Sequence, residues 1–369
     1  MSRDCLYCLL RCLLVLWFAR PADGQDWTRF RGPNGAGQSG ATTVPATWTS
    51  EAYRWRVGLP GIGYSSPVLW GRRVFVTSAD EENATRIVCC LDVGDGKLLW
   101  KRSFESSTHP KHPFNSYAAA TPTVDADRVY VAWTTPQEYT LLALDQGDGR
   151  VVWRRDLGPY VARHGSGASP ILFEDTVIVA NEQSEKSSAI AVDRTTGETR
   201  WKTGLPVTRG GYATPCIYQP DQGAAELILA GSAYGPISLD PRTGKKNWEL
   251  KLLADRVVGS PVLASGRIIL GGGEGGRGTQ MVAVKPGDPG KGIDPEVAYE
   301  IKGSLPYVCT PVTHGDLLFL WFDLGVVTCL DAPTGKVHWR QRVGGNYFGS
   351  PVRVGNRIYC ISRKGEMVV

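Results

Sequence analysis

The sequence predicts an all-β protein, a β-propeller of four-stranded antiparallel blades, on three observations. A hairpin signature recurs five times, a Ser/Thr-Pro dipeptide opens an apolar run seven times, and the 369 residues show no linker between these units. The hairpin is clearest in Leu91-Asp92-Val93-Gly94-Asp95-Gly96-Lys97-Leu98-Leu99-Trp100. It returns at Asp145, Gly149 and Trp153, at Asp193, Gly197 and Trp201, at Asp240, Gly244 and Trp248, and at Asp331, Gly335 and Trp339, with Asp, Gly and Trp four residues apart each time. An Asp ending a strand can bond backbone N–H groups two residues on. Gly then takes the φ > 0 position of a bulged turn, and Trp lies on the next strand. A repeat of this period means a solenoid or a propeller.

The second marker is the set Ser66-Pro67, Thr121-Pro122, Ser169-Pro170, Thr214-Pro215, Ser260-Pro261, Thr310-Pro311 and Ser350-Pro351. Proline fits the first position of a strand, where no ladder N–H is required. A second apolar strand follows each, and the Asp-Gly-Trp hairpin supplies a third and fourth. Seven blade units result, which leave few sheet edges unprotected. The fifth unit departs from the pattern. Its third strand is Met281 to Lys285, a Gly/Pro/Lys-rich insertion from Pro286 to Pro295 replaces the short turn, and Tyr299 stands where Trp is expected.

Before the first unit, residues 25–52 are turn-rich and predict a loop. Tyr53-Arg54-Trp55-Arg56-Val57 alternates like a strand and carries a Trp with no Asp-Gly turn before it. It is expected to be the outermost strand of a blade completed from elsewhere in the chain, with the propeller domain spanning 53–369. After Gly365 no Asp, Gly or Trp follows. Either the Trp55 strand closes a seven-bladed ring, or it belongs to an eighth blade whose C-terminal strands are missing. Trp55, Trp100, Trp153, Trp201, Trp248 and Trp339 are expected to be structural, each wedged between its own blade and a neighbour, because they recur once per blade.

The repeat, apolar-Asp-x-x-Thr/Asp-Gly-Lys-x-x-x-Trp, resembles the PQQ-type β-propeller repeat with its tryptophan docking residues, over about residues 50–369. Families with this repeat include the quinoprotein alcohol dehydrogenases and the BamB-type scaffold of outer-membrane β-barrel assembly, and both are typically eight-bladed. The Phe30-Arg31-Gly32-Pro33-Asn34-Gly35 opening is similar to secreted PQQ-like propellers. The resemblance implies a non-catalytic binding or scaffold protein of the cell envelope, with a protein partner. Its alternatives are a PQQ-dependent oxidoreductase, with PQQ and calcium as cofactors, and a small-ligand or glycan binder at the channel mouth. Fold alone does not choose between them.

Motifs for chemistry are sparse. Cys89-Cys90 matches the vicinal pair that quinoprotein dehydrogenases place over the cofactor. Here it sits mid-strand, where adjacent residues point to opposite faces, so packing is the expected role. Gly271 to Gly276 satisfies GxGxxG, but a strand follows instead of the helix a dinucleotide site needs. His109 and His112 lie in the longest connection and are expected in a solvated loop. No carboxylate constellation for calcium is apparent, so no cofactor is expected on the leading reading. One distributed feature remains. The connections between blades reach the central axis with Tyr64, Tyr117, His164, Arg209, Tyr212, Arg256, Tyr307 and Tyr347 near their ends. Such a ring suits a recessed site for a peptide loop, sugar or anion, or it simply fills a narrow channel mouth.

The chain begins with an apolar run from Cys12 to Ala19 after Arg3 and Arg11, with Ala22-Asp23-Gly24 ahead of Gln25. Residues 1–24 are expected to be a signal peptide, with a periplasmic or secreted, monomeric product. The run is too short for a membrane span. A formal net charge of +5 is too mild to argue for nucleic acid. Six of the nine cysteines lie beyond residue 24, mostly in apolar runs, and their spacing suggests neither a disulfide framework nor a zinc site.

Overall fold

The computed structural model describes residues 26–206, 209–232 and 234–369; the expected signal peptide lies outside them. The described chain forms seven four-stranded sheets. Blade 1 comprises Val68–Trp70, Arg73–Ala79, Arg86–Asp92 and Leu98–Phe104, ordered from the axis outward. Blades 2 to 6 repeat it over residues 123–156, 171–204, 216–249, 262–300 and 312–342. In each, successive strands pair antiparallel, so the Asp-Gly hairpins gather on one face of the ring and the connections between blades on the other.

The repeat explains itself in the register. A bulge falls just before the hairpin in all six blades, between Cys90 and Leu91 in blade 1 and between Ala143 and Leu144 in blade 2. The Asp carboxylate caps the turn, Asp92 accepting from the Gly94 N–H at 2.7 Å. Gly96 and Gly149 adopt φ of 72° and 73°. A Cβ at Gly96 would also meet the Trp55 ring, and one at Gly149 the Trp100 ring of the preceding blade, each at 2.6 Å. Glycine is therefore required twice over, by backbone sign and by ring contact. Each docked ring then donates its indole N–H across the blade boundary: Trp55 to the Val93 carbonyl at 2.9 Å, Trp100 to Gln146 at 3.1 Å, Trp153 to Arg194 at 3.0 Å and Trp201 to Pro241 at 3.0 Å.

Three tryptophans depart from the expected pattern. Trp55 docks as the others do, but residues 53–57 form no strand; the alternation there reflects one ring facing Gly96 from an extended segment. Trp248 is buried, yet the insertion at Pro289–Lys291 replaces the blade 5 hairpin whose glycine would seat it. Its N–H is accepted by Glu226 of its own blade at 2.8 Å. Trp339 is 45% exposed. The described part of blade 7 contributes no Asp-Gly hairpin for it to rest on, so it is not a wedge. Tyr299 does take the docking role, over Gly335, with its hydroxyl donating to the Ala332 carbonyl.

Blade 7 also differs from expectation. It is Val352–Val354, Arg357–Ile361 and Met367–Val368, with Gln38–Ser39 added parallel on the axial side. The fourth strand thus comes from the N-terminal segment and not from around Trp55. Clusters of buried residues join blades 1–2, 2–3, 3–4, 4–5, 5–6 and 6–7. Among the described residues no such cluster joins blades 7 and 1. Residues 38–64 bridge them instead: the Val44 carbonyl accepts from Tyr359, Trp55 docks on blade 1, and Ile62 pairs with Ala79.

The stretch from residue 26 to 41, expected as a loop, threads the axial channel. Trp27 pairs with Leu69 of blade 1, the Thr28 carbonyl accepts from Val124 of blade 2, and Asn34 exchanges bonds with Ile217 of blade 4. Arg29 donates to the Pro215 carbonyl at 2.6 Å, and Arg31 to Pro351 and Pro311 at 2.9 and 2.7 Å. Both guanidiniums are buried, and desolvation lowers their pKa to about 10, still charged at neutral pH. Arg31 ties blades 6 and 7 to the plug. Arg31→Met is expected to cost about 3 kcal/mol by stranding buried carbonyls, and Arg31→Lys to recover little because one ammonium lacks the fork geometry. Denaturant unfolding of the three proteins checks this; a Lys variant as stable as the parent would overturn it.

Candidate functional site

The connections between blades build a cavity of about 910 Å³ on the face opposite the Asp-Gly hairpins. Its floor is Phe30, carried on the axial plug. Above the floor lies a belt made by the Ser/Thr-Pro positions. The N–H of Ser66, Thr121, Ser169, Thr214, Ser260 and Thr310 each donates to the hydroxyl of the next blade's Ser or Thr, at 2.9–3.0 Å. The dipeptide marker thus has two roles: proline starts the strand, and the preceding hydroxyl links neighbouring blades.

Buried and half-buried polar side chains fix the wall. Asn115 donates to the carbonyls of His164 and Ser166 at 2.8 and 3.0 Å. Asp323 accepts the N–H groups of Tyr307 and Val308 at 2.6 and 3.0 Å, although burial raises its pKa. Glu182 lies buried beneath the 209–212 connection, close enough to Gly211 that any side chain there would strike its carboxyl. Desolvation raises the Glu182 pKa to about 8, with the Tyr234 hydroxyl opposing the shift.

Of the eight expected ring residues, five line the cavity: Tyr64, His164, Tyr212, Arg256 and Tyr307. Three do not. Tyr117 turns away, donating to the His109 carbonyl at 2.9 Å with Arg86 and Lys111 against its ring, beside a small gap between blades 1 and 2. Arg209 stands on the rim, paired with Glu274 at 2.8 Å. Tyr347 is buried edge-on against Trp321, 5.3 Å between centroids. Position along a connection brings a residue near the axis but does not decide which way its side chain turns.

The wall also contains residues the sequence reading left out. Phe114 and Phe348 pack 5.6 Å apart, and the Arg363 guanidinium lies 3.9 and 4.7 Å from their centroids. His112, expected in a solvated loop, faces the cavity with its ring 5.1 Å from that of His164. The long connection carrying it folds back over the axis toward blade 7. Desolvation, followed by Arg256, His112 and Arg163, lowers the His164 pKa, which favours the neutral ring. The lining contains two arginines, Arg256 and Arg363, and among the described residues no Asp or Glu.

The remaining motifs lie elsewhere. Cys89 and Cys90 are buried free thiols within blade 1, and Cys90 packs toward blade 2. The Gly271–Gly276 stretch forms the end of one strand and a turn leading into the next, Arg277–Lys285. Among the described residues no group of three or more His, Cys, Asp or Glu could hold a metal ion. None of their helices is long and apolar enough to cross a membrane.

This toroid, with tryptophan-on-glycine docking between blades, defines the PQQ-like β-propeller class. The family profile described as outer membrane protein assembly factor BamB matches residues 46–215 and 297–369. The chain belongs to that family. Its structure is similar to BamB from Moraxella catarrhalis, with a TM-score of 0.61 and 19% identity over 85% of this chain and 84% of that one. It is also similar to the quinohemoprotein alcohol dehydrogenase of Comamonas testosteroni, with a TM-score of 0.50 and 13% identity over 92% and 76%. The quinohemoprotein alcohol dehydrogenase ADHIIG of Pseudomonas putida HK5 gives a TM-score of 0.50 and 14% identity over 93% and 75%. No curated protein matches the sequence. At these identities the structural likenesses establish the fold.

Proposed function

We propose that the protein is a non-catalytic binding platform of the cell envelope, a scaffold that holds a partner against the cavity face. The observation that carries this reading is the cavity lining: aromatic rings, two arginines and belt hydroxyls, with no carboxylate. A carboxylate-held calcium has no group there to supply it. The Asn115 amide is already engaged by its neighbours. Its nitrogen serves the carbonyls of His164 and Ser166, and its oxygen accepts the Ser116 N–H at 2.8 Å. The residues present do not fit PQQ held by calcium. Membership of the BamB family supports an envelope location and a protein partner.

The test is a titration of the purified protein with PQQ and calcium, followed by absorbance and calorimetry, and a dye-linked oxidation assay with alcohols and sugars. No saturable binding and no PQQ-dependent oxidation are expected. Oxidation appearing on PQQ addition would overturn the reading.

A further inference from the structure

We propose that the cavity receives an acidic loop of a partner protein, an Asp or Glu carboxylate held by Arg363 and Arg256 and a neighbouring apolar side chain laid on the aromatic wall. This rests on the binding-platform reading and names the chemistry of its partner. Arg363 is held in place by Phe114 and Phe348. Among the described residues its guanidinium has no carboxylate partner and no hydrogen-bond acceptor in the protein. Rings cover the guanidinium while its N–H edges stay free, the presentation that a carboxylate accepts in bidentate fashion. Arg256 likewise forms no ion pair among the described residues. It reaches the Arg209 carbonyl at 3.4 Å and the Tyr307 hydroxyl at 3.5 Å, both long, so its donors are also available. Among the described residues no Asp or Glu lines the cavity, so the charged groups that face it are arginines, which favour an anion.

The rim decides between a peptide and a sugar. Ile361, a lining residue, is exposed beside the aromatic rings. Aromatic faces serve either ligand, but aliphatic side chains at the mouth gain only from covering by apolar protein surface. A cavity of about 910 Å³ has room for a few residues of a loop.

The experiment pans a random hexapeptide phage library on the folded protein, then measures synthesised winners by calorimetry. Enriched peptides are expected to carry Asp or Glu beside Phe, Tyr, Leu or Ile. Their affinity should fall about tenfold or more when the acid becomes its amide, and equally in the Arg256→Gln/Arg363→Gln double variant. Both arginines are at least partly solvent-exposed, so the variant should keep the parent melting temperature. Failure to enrich acidic peptides, or winners that bind the double variant within twofold of the parent, would overturn the proposal. Sodium glucuronate binding as tightly as the winners with the same arginine dependence would also overturn it, in favour of an acidic sugar. None of these failures produces PQQ-dependent oxidation, so the binding-platform reading stands or falls separately.

Discussion

Trp153→Ala should cost about 3–5 kcal/mol, whereas Trp339→Ala should cost less than about 1 kcal/mol. The two residues occupy the same place in the repeat, each opposite the residue before the bulge, Ala143 and Cys329. Their surroundings differ. Trp153 is buried, stacks on Gly197 of the next blade and donates to the Arg194 carbonyl. Trp339 is 45% exposed and has no such seat. Truncating Trp153 removes a large ring from between two blades and strands a carbonyl. Truncating Trp339 removes a ring that water already reaches. Trp55→Ala should fall nearer to Trp153→Ala, since Trp55 docks on Gly96 and bonds the Val93 carbonyl. Urea unfolding of the three variants reads this directly. Equal losses at Trp153 and Trp339 would mean that the repeat position and not the neighbouring blade sets the energy.

A pH effect of similar size is expected from Glu182. Its folded pKa, about 8, lies above an unfolded value of about 4.3. The folded state therefore keeps a proton that the unfolded state gives up in this window. The protonated, buried form is fully favourable below the unfolded value, and stability falls as pH rises toward the folded pKa, by about 1.4 kcal/mol per unit. Between about pH 5 and pH 8 the parent should lose about 3–4 kcal/mol through this group, a large share of a typical margin of about 5–15 kcal/mol. Glu182→Gln keeps the shape and cannot ionise. Its stability should exceed that of the parent at pH 8 and approach it at pH 5. Parallel pH profiles for the two proteins would show that Glu182 ionises freely in the folded state. The consequence reaches the cavity, because the carboxyl lies directly beneath Gly211 and the wall residue Tyr212.

The blade and its repeat were legible in the order of residues. Asp, Gly and Trp act within a dozen residues of one another, and each answers to a local demand: a capped turn, a positive φ, a ring opposite a bulge. Ser/Thr before Pro marked each inner strand for the same local reason. Five cavity residues were legible because a connection between blades must end near the axis. The rest depended on contacts between distant parts of the chain. Trp339 is exposed because its seat is another blade's hairpin, a partner no periodicity within blade 6 can report. Tyr117 turns to a carbonyl of its own connection, Arg209 to a carboxylate at the end of a blade 5 strand, and Tyr347 to a ring on a blade 6 strand. Arg363, Phe114 and Phe348 meet across some 250 residues of chain. The path of residues 26–41 through the channel was hidden for the same reason: its hydrogen-bond partners lie on blades 1, 2, 4, 6 and 7, and they come together only when the ring closes around it.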